Sequence, residues 1–191
     1  MSNGSMGTRR ERPDFARNAS AGSNALAGTL IGFVSGVAAG WIMNRFQHGW
    51  SAAKQMVEQR ADSSPGEPAT VKAADRISKA ATGGPVPAPD RELAGEVVHY
   101  VFGGFLGSVY GALGTQLPQV RTGFGTLFGT VVALVGDEMF VPALKLAPPP
   151  DESPIATHFY GLVSHLVFGV ALEGSRRGLE AALAVARTDR R

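Results

Sequence analysis

The sequence predicts an all-α integral membrane protein, a four-helix bundle held by glycine-rich helix interfaces. Three observations carry that prediction. Four stretches, residues 18–44, 97–120, 122–144 and 153–172, are almost free of charge, the third holding only Asp137 and Glu138. Each is long enough to cross a hydrocarbon core of roughly 30 Å, which takes about 20 helical residues. The mean hydropathy, +0.03, is nevertheless that of a soluble chain, so the polar residues must be segregated. They collect in the N-terminal tail, one long connection and the C-terminus. Finally, many of the 25 glycines sit inside the apolar runs, where small residues let helix backbones approach. A soluble bundle would have to bury four such helices with hardly a charge among them. Strands would show strict alternation, which the runs lack.

The elements follow in order. Residues 1–22 are rich in Ser, Gly, Asn and Arg and predict a disordered tail. The membrane domain is expected over 23–186. Its first helix, 23–46, ends in Trp41, Asn44 and Arg45 with Trp50 beyond, the residue types of a headgroup interface. This run is too long for a signal peptide and has no small-residue cleavage site, so a retained span is expected. A polar connection, 47–90, carries short surface helices. One is expected at 70–82, where Val71, Ala74, Ile77 and Ala81 recur every three or four residues. Prolines at 85, 87 and 89 deliver the chain to a second helix, 91–114. The short turn at 115–122 predicts that this helix and the third, 122–146, are adjacent and antiparallel. Pro148, Pro149 and Pro150 form a stiff stop. The fourth helix, 153–175, has Pro154 in its first turn and a soluble extension to about residue 186, followed by a basic tail at 187–191.

Charge and composition narrow the class further. No cysteine is present, which excludes disulfides and thiolate chemistry. The net charge is only +2, with arginines gathered at both termini (Arg9, Arg10, Arg12 and Arg17; Arg176, Arg177, Arg187, Arg190 and Arg191). Acidic residues among them disfavour nucleic acid, and anionic phospholipid is the better partner. By the positive-inside rule the termini are expected in the cytoplasm, although Lys54, Arg60, Lys72, Arg76, Lys79 and Arg91 on the other side oppose this. No nucleophile elbow, phosphate loop or dinucleotide fingerprint occurs, so nothing marks an enzyme.

Gly28, Gly32, Gly36 and Gly40 recur every four residues and give the first helix a smooth face. Gly103, Gly107 and Gly111 do the same for the second, Gly125 and Gly129 for the third, and Gly161 and Gly169 flank His165 in the fourth. Two phrases recur. Gly28-Thr29-Leu30-Ile31-Gly32 matches Gly125-Thr126-Leu127-Phe128-Gly129, and His99-Tyr100-Val101-Phe102-Gly103 matches His165-Leu166-Val167-Phe168-Gly169. They suggest two helical hairpins related as parallel repeats.

The ionisable groups point to a site. Four alternating spans place Arg45, Glu96, His99, Asp137, Glu138 and His158 toward one side, with His165 deeper on the same face as His158. At 1.5 Å per residue, Asp137, His99 and His158 each lie about 8 to 11 Å in from their helix ends. Charge in hydrocarbon is costly and marks function unless it reaches water. Histidine changes charge near neutrality, so a cluster in which Asp137 faces His158 would sense or relay protons. The competing expectation is an interfacial helix end. No cofactor is predicted; a metal held by His99, His158 and Asp137 or Glu138 is an alternative that would suit zinc, manganese or iron.

Three phrases, Gly28-Thr29-Leu30-Ile31-Gly32 with Gly36, Gly136-Asp137-Glu138 followed by Pro142, and His158-Phe159-Tyr160-Gly161 leading to His165 and Gly169, carry a resemblance over residues 24–175. The chain resembles the YagU-like group of small bacterial inner-membrane proteins of unknown function. The resemblance implies an inner-membrane location and, through the group's better-known members, a role in surviving acid; it implies no chemistry. The expected function is therefore a proton-linked or acid-protective membrane protein. The alternative is an accessory or structural subunit of a larger membrane complex. Expected partners are the phospholipid bilayer and either a homo-oligomer or that complex, without nucleic acid.

Overall fold

The computed structural model describes residues 14–57 and 67–190. Among them the chain is all α, with five helices: α1 (Asp14–Val57), α2 (Ala69–Thr82), α3 (Arg91–Gly114), α4 (Thr126–Ala143) and α5 (Ile155–Thr188). All but α2 are long and apolar enough to cross a membrane. α3 begins after the prolines at 85, 87 and 89 and ends at a glycine–threonine turn. α1 is longer than expected at both ends, and helix occupies 14–22 where a tail was expected; residues 1–13 lie outside the described residues. α5 likewise runs unbroken to Thr188, into the segment expected as a basic tail. At 1.5 Å per residue α1 is about 66 Å long and α5 about 51 Å, so both outrun a bilayer.

The glycine faces decide which helices meet. α1 packs on α3 and on α5, and α4 packs on α5. A Cβ on Gly32 would overlap the carbonyl oxygen of Gly107, one on Gly36 that of Gly103, and one on Gly111 that of Gly28. Those three antiparallel pairs bring backbone against backbone, close enough for Cα–H···O contacts. A second crossing sets Gly125 against Gly169 and Gly129 against the backbone of His165. Gly125 adopts φ 87° at the start of α4, a conformation only glycine reaches without strain, and a Cβ there would strike the Gly169 carbonyl. The expectation that α3 and α4 pack as neighbours therefore fails. Their connection is short, but each finds its glycine partner elsewhere, and they meet chiefly through Tyr110 and Phe128, ring centroids 5.0 Å apart. The repeated phrases also enter their crossings in different registers: Gly28 opposes Gly111, whereas its counterpart Gly125 opposes Gly169, the counterpart of Gly103.

The core runs from Ala39 and Met43, level with the first half of α3, through Phe168 to Tyr110, Phe128, Val132 and Leu172 where α3 finishes and α4 begins. Toward the other end the helices leave a cavity. There α4 departs from α geometry, with π-helical turns over Ala133–Phe140. Pro142 has no N–H to close a turn on the Glu138 carbonyl and its ring crowds that oxygen, so the wider turn ahead of it relieves the crowding. α4 then ends on Lys145 at φ 52°. Its N–H bonds the Pro142 carbonyl at 2.7 Å and the Leu146 N–H bonds that of Val141 at 3.0 Å, the Schellman pattern. Arg76 of α2 donates to the free carbonyls of Leu144 and Lys145, fastening α2 across this end.

Candidate functional site

A cavity of about 820 Å³ opens between α1, α3, α4 and α5, with the first residues of α2 at its rim. Of the residues the sequence singled out, Glu96, His99, Asp137, Glu138, His158 and His165 all line it. Arg45 does not. Its guanidinium lies over the Trp41 ring one turn earlier, 5.6 Å from the centroid, a cation–π contact that turns it outward.

The pairs formed are not those expected. His158, not Asp137's partner, sits with Nδ1 2.7 Å from Glu138 Oε1 and Nε2 3.1 Å from the Pro150 carbonyl. Both ring nitrogens thus face acceptors, and only the doubly protonated imidazolium donates to both. Asp137 instead lies beside His165, whose Nδ1 is 3.3 Å from Oδ2 and donates to the Gly161 carbonyl at 3.0 Å. A Cβ on Gly161 would stand 3.1 Å from that same Oδ2, so this glycine clears room for the carboxylate. The π-helical stretch contains both acids. Such turns recur at functional sites; here adjacent carboxylates reach two histidines on one face of α5.

The opposite wall belongs to α3. His99 donates through Nε2 to the Gly40 carbonyl at 3.2 Å. Asn44 bridges α1 to α3, its amide donating to Glu96 Oε1 at 3.2 Å and to Tyr100 Oη at 3.1 Å. The expected equality of depth does not hold: His158 is only about 5 Å from the start of α5, while His99 is about 12 Å into α3. Among the described residues no three His, Cys, Asp or Glu side chains are grouped to hold a metal ion, so the proposed ligand set of His99, His158 and an acid is not assembled.

Sequence reasoning missed two features. Glu92, His48, Tyr160 and Ser164 also line the cavity; their spacing carries no recognisable motif. A second polar cluster lies near the far end. Glu173, fully buried, accepts from Tyr110 Oη at 2.8 Å, from Arg176 Nε and Nη2 at 2.8 Å each, and from Arg177 Nε at 2.6 Å. Arg176 continues to Glu180 at 2.6 Å. The signal was present: an acid in an apolar helix followed by arginines three and four positions on.

Residues 88–174 match the family described as "Protein of unknown function (DUF1440)". The chain matches no curated protein and no solved structure. The matched segment, just under half of the chain, includes α3, α4 and α5 as far as Gly174, and with them Glu96, His99, Asp137, Glu138, His158 and His165. The phrase Gly28 to Gly36 falls outside it, whereas the Gly136 and His158 phrases fall within. Over residues 88–174 the chain is thus similar to the DUF1440 family, and that likeness covers the helices that carry the cavity's histidines and acids.

Proposed function

We propose that this is a multi-pass protein of the bacterial inner membrane whose histidine–carboxylate cavity takes up and releases protons on one side of the bilayer, in a role linked to acid conditions. One observation carries the reading: Asp137 with His165 and Glu138 with His158 form two ion pairs in one cavity that also holds Glu96 and His99. Imidazole and carboxylate together span the range over which such a site can change charge. At the opposite end the core and the Glu173–Arg176 pair close the space between α3, α4 and α5. The activity fits binding and proton exchange rather than covalent chemistry.

The cations support one orientation. Arg121, Arg176, Arg177 and Arg187 gather at the closed end, which supports a cytoplasmic placement for that end and the termini. At the cavity end Arg91 is held by Glu67 at 2.5 Å and Asp75 at 2.6 Å, and Arg76 by backbone carbonyls, which tempers the charge that opposed this assignment. An accessory subunit would need a helix face free to dock a larger complex. Gly28, Gly32 and Gly36 are used within the chain against α3, so that reading would have to rely on the outer apolar face of α4, including Leu134, Met139 and Phe140.

The test is proton movement in liposomes containing only this protein and a pH-sensitive dye. Uptake that depends on Asp137 and Glu138 supports the proposal. Co-purification at fixed ratio with a large complex, together with no proton exchange by the isolated chain, would favour the accessory role.

A further inference from the structure

The loop that carries the chain from α3 to α4 is strained. Gly123, Phe124 and Gly125 stand in succession at φ 64°, 56° and 87°. Glycine takes that conformation freely, but a bulky aromatic residue does not. Phe124 is nevertheless exposed, and its ring carries the Arg177 guanidinium, 4.7 Å from the centroid. Backbone held this way clusters at ligand clamps and active sites. The turn leaves the N–H groups of Gly123 and Phe124 without an acceptor among the described residues.

The cation that opens this loop is unpaired as well. Arg121 lies over the last turn of α3, where a Cβ on Gly114 would stand 2.6 Å from its Nε and 2.9 Å from its Nη2. Its Nε is enclosed with no hydrogen-bond partner, and no acceptor among the described residues reaches its outer nitrogens. The acceptors at this end are already taken. The α3 carbonyls of Ala112 and Leu113 receive the N–H groups of Thr115, Gln116 and Leu117. Glu173 is filled by Tyr110, Arg176 and Arg177. A half-buried guanidinium left without an acceptor is unfavourable, and its planar fork suits a phosphate. Arg177 commits its Nε to Glu173 and keeps its outer nitrogens. Exposed Leu117 and Leu127 flank the loop in the chain, so apolar surface accompanies the two cations.

We propose that Arg121 and Arg177, with the loop N–H groups between them, hold the phosphate of an anionic phospholipid, its acyl chains against Leu117, Phe124 and Leu127. A free phosphate anion shares the polar chemistry and lacks the apolar contacts. The inference rests on the membrane placement proposed above and not on proton exchange.

The test is titration of the full chain in maltoside micelles with phosphatidylglycerol, read by native mass spectrometry, with phosphatidylcholine as the zwitterionic comparison. Saturable binding that favours phosphatidylglycerol is expected. Arg121→Gln and Arg177→Gln should each weaken it about tenfold or more, the loss of a hydrogen bond between charged groups. Arg187→Gln, about 15 Å further along α5, should leave it unchanged. Arg121 makes no hydrogen bond within the described residues, so its substitution keeps the fold, which the unfolding curve of the same sample checks. Absence of saturable binding, binding indifferent to Arg121→Gln, or equal weakening by all three substitutions, the mark of diffuse surface charge, would overturn the inference. Inorganic phosphate at constant ionic strength separates the sources: displacement of the lipid assigns the site to a free phosphate, and undisturbed lipid assigns it to the headgroup. Flotation of the chain with liposomes reports membrane placement separately, so the phosphate site can fail while that placement stands.

Discussion

Gly107→Ala sets one methyl group against three backbone atoms of the facing helix. The added Cβ would overlap the Gly32 carbonyl oxygen and stand 2.7 Å from Gly36 Cα and 2.9 Å from Gly36 N. All three atoms are backbone, so no side chain can rotate away and α1 itself must shift. Overpacking of this kind costs about 1–3 kcal/mol, and backbone on the far side puts it at the upper end. Alanine's helix propensity returns up to about 1 kcal/mol, leaving a net loss of roughly 2 kcal/mol. Two controls bracket it. Gly40→Ala would meet nothing closer than Tyr100 Cδ1 at 3.6 Å, and Gly49→Ala nothing within 4 Å, so both should be neutral or gain up to about 1 kcal/mol. Reversible unfolding of the purified proteins in mixed micelles should separate Gly107→Ala from Gly49→Ala by about 3 kcal/mol, near a hundredfold in the folded-to-unfolded ratio. Equal stability of the two would mean that α1 and α3 do not meet through Gly32, Gly36 and Gly107.

Other outcomes follow from the polar contacts. Glu173→Leu leaves buried Arg176 with Glu180 as its remaining carboxylate and should cost about 3 kcal/mol in the same unfolding assay, while adding Arg176→Met should recover most of it; Tyr110→Phe should cost about 1.5–3 kcal/mol through its lost bond to a charged acceptor. Histidine NMR should show Glu138→Gln moving the ring signals of His158 and leaving those of His165, with Asp137→Asn doing the reverse; a common response to both would merge the two pairs into one. A cysteine at Thr188 should react with an impermeant reagent only after the cytoplasmic side is opened, and one at Ala81 should react from outside. The opposite pattern would invert the orientation and leave the cavity intact.

The parts legible in the sequence were those fixed by local rules. Prolines at 85, 87 and 89 and the Thr115 turn bracket α3, and four-residue glycine spacing marks the faces where backbones touch. What spacing does not encode is which face meets which. Gly103, Gly107 and Gly111 announce a close neighbour, yet only the fold shows it to be α1 rather than α4, which follows in the chain. The site was legible as a set of residues and not as pairs. Asp137 and Glu138 fall in a π-helical stretch, and the altered turn changes which side of α4 each presents, so the expected pairing of Asp137 with His158 gives way to Asp137 with His165 and Glu138 with His158. Arg45 was drawn away by Trp41, four residues earlier on the same helix face. Glu173 escaped notice because its partners include Tyr110, far off in sequence, whose hydroxyl reads as one more aromatic in an apolar run.

The most direct measurement is histidine NMR of the full chain in nanodiscs as pH is lowered through about pH 8 to 5, the range in which imidazole charge changes, with Asp137→Asn/Glu138→Gln alongside. A cavity that exchanges protons requires His158 and His165 to titrate reversibly in the native chain, and their curves to change in the double substitution. Histidines silent across the whole range, or identical curves in both proteins, would contradict a proton-exchanging site and leave Asp137 and Glu138 as the polar end of a helix.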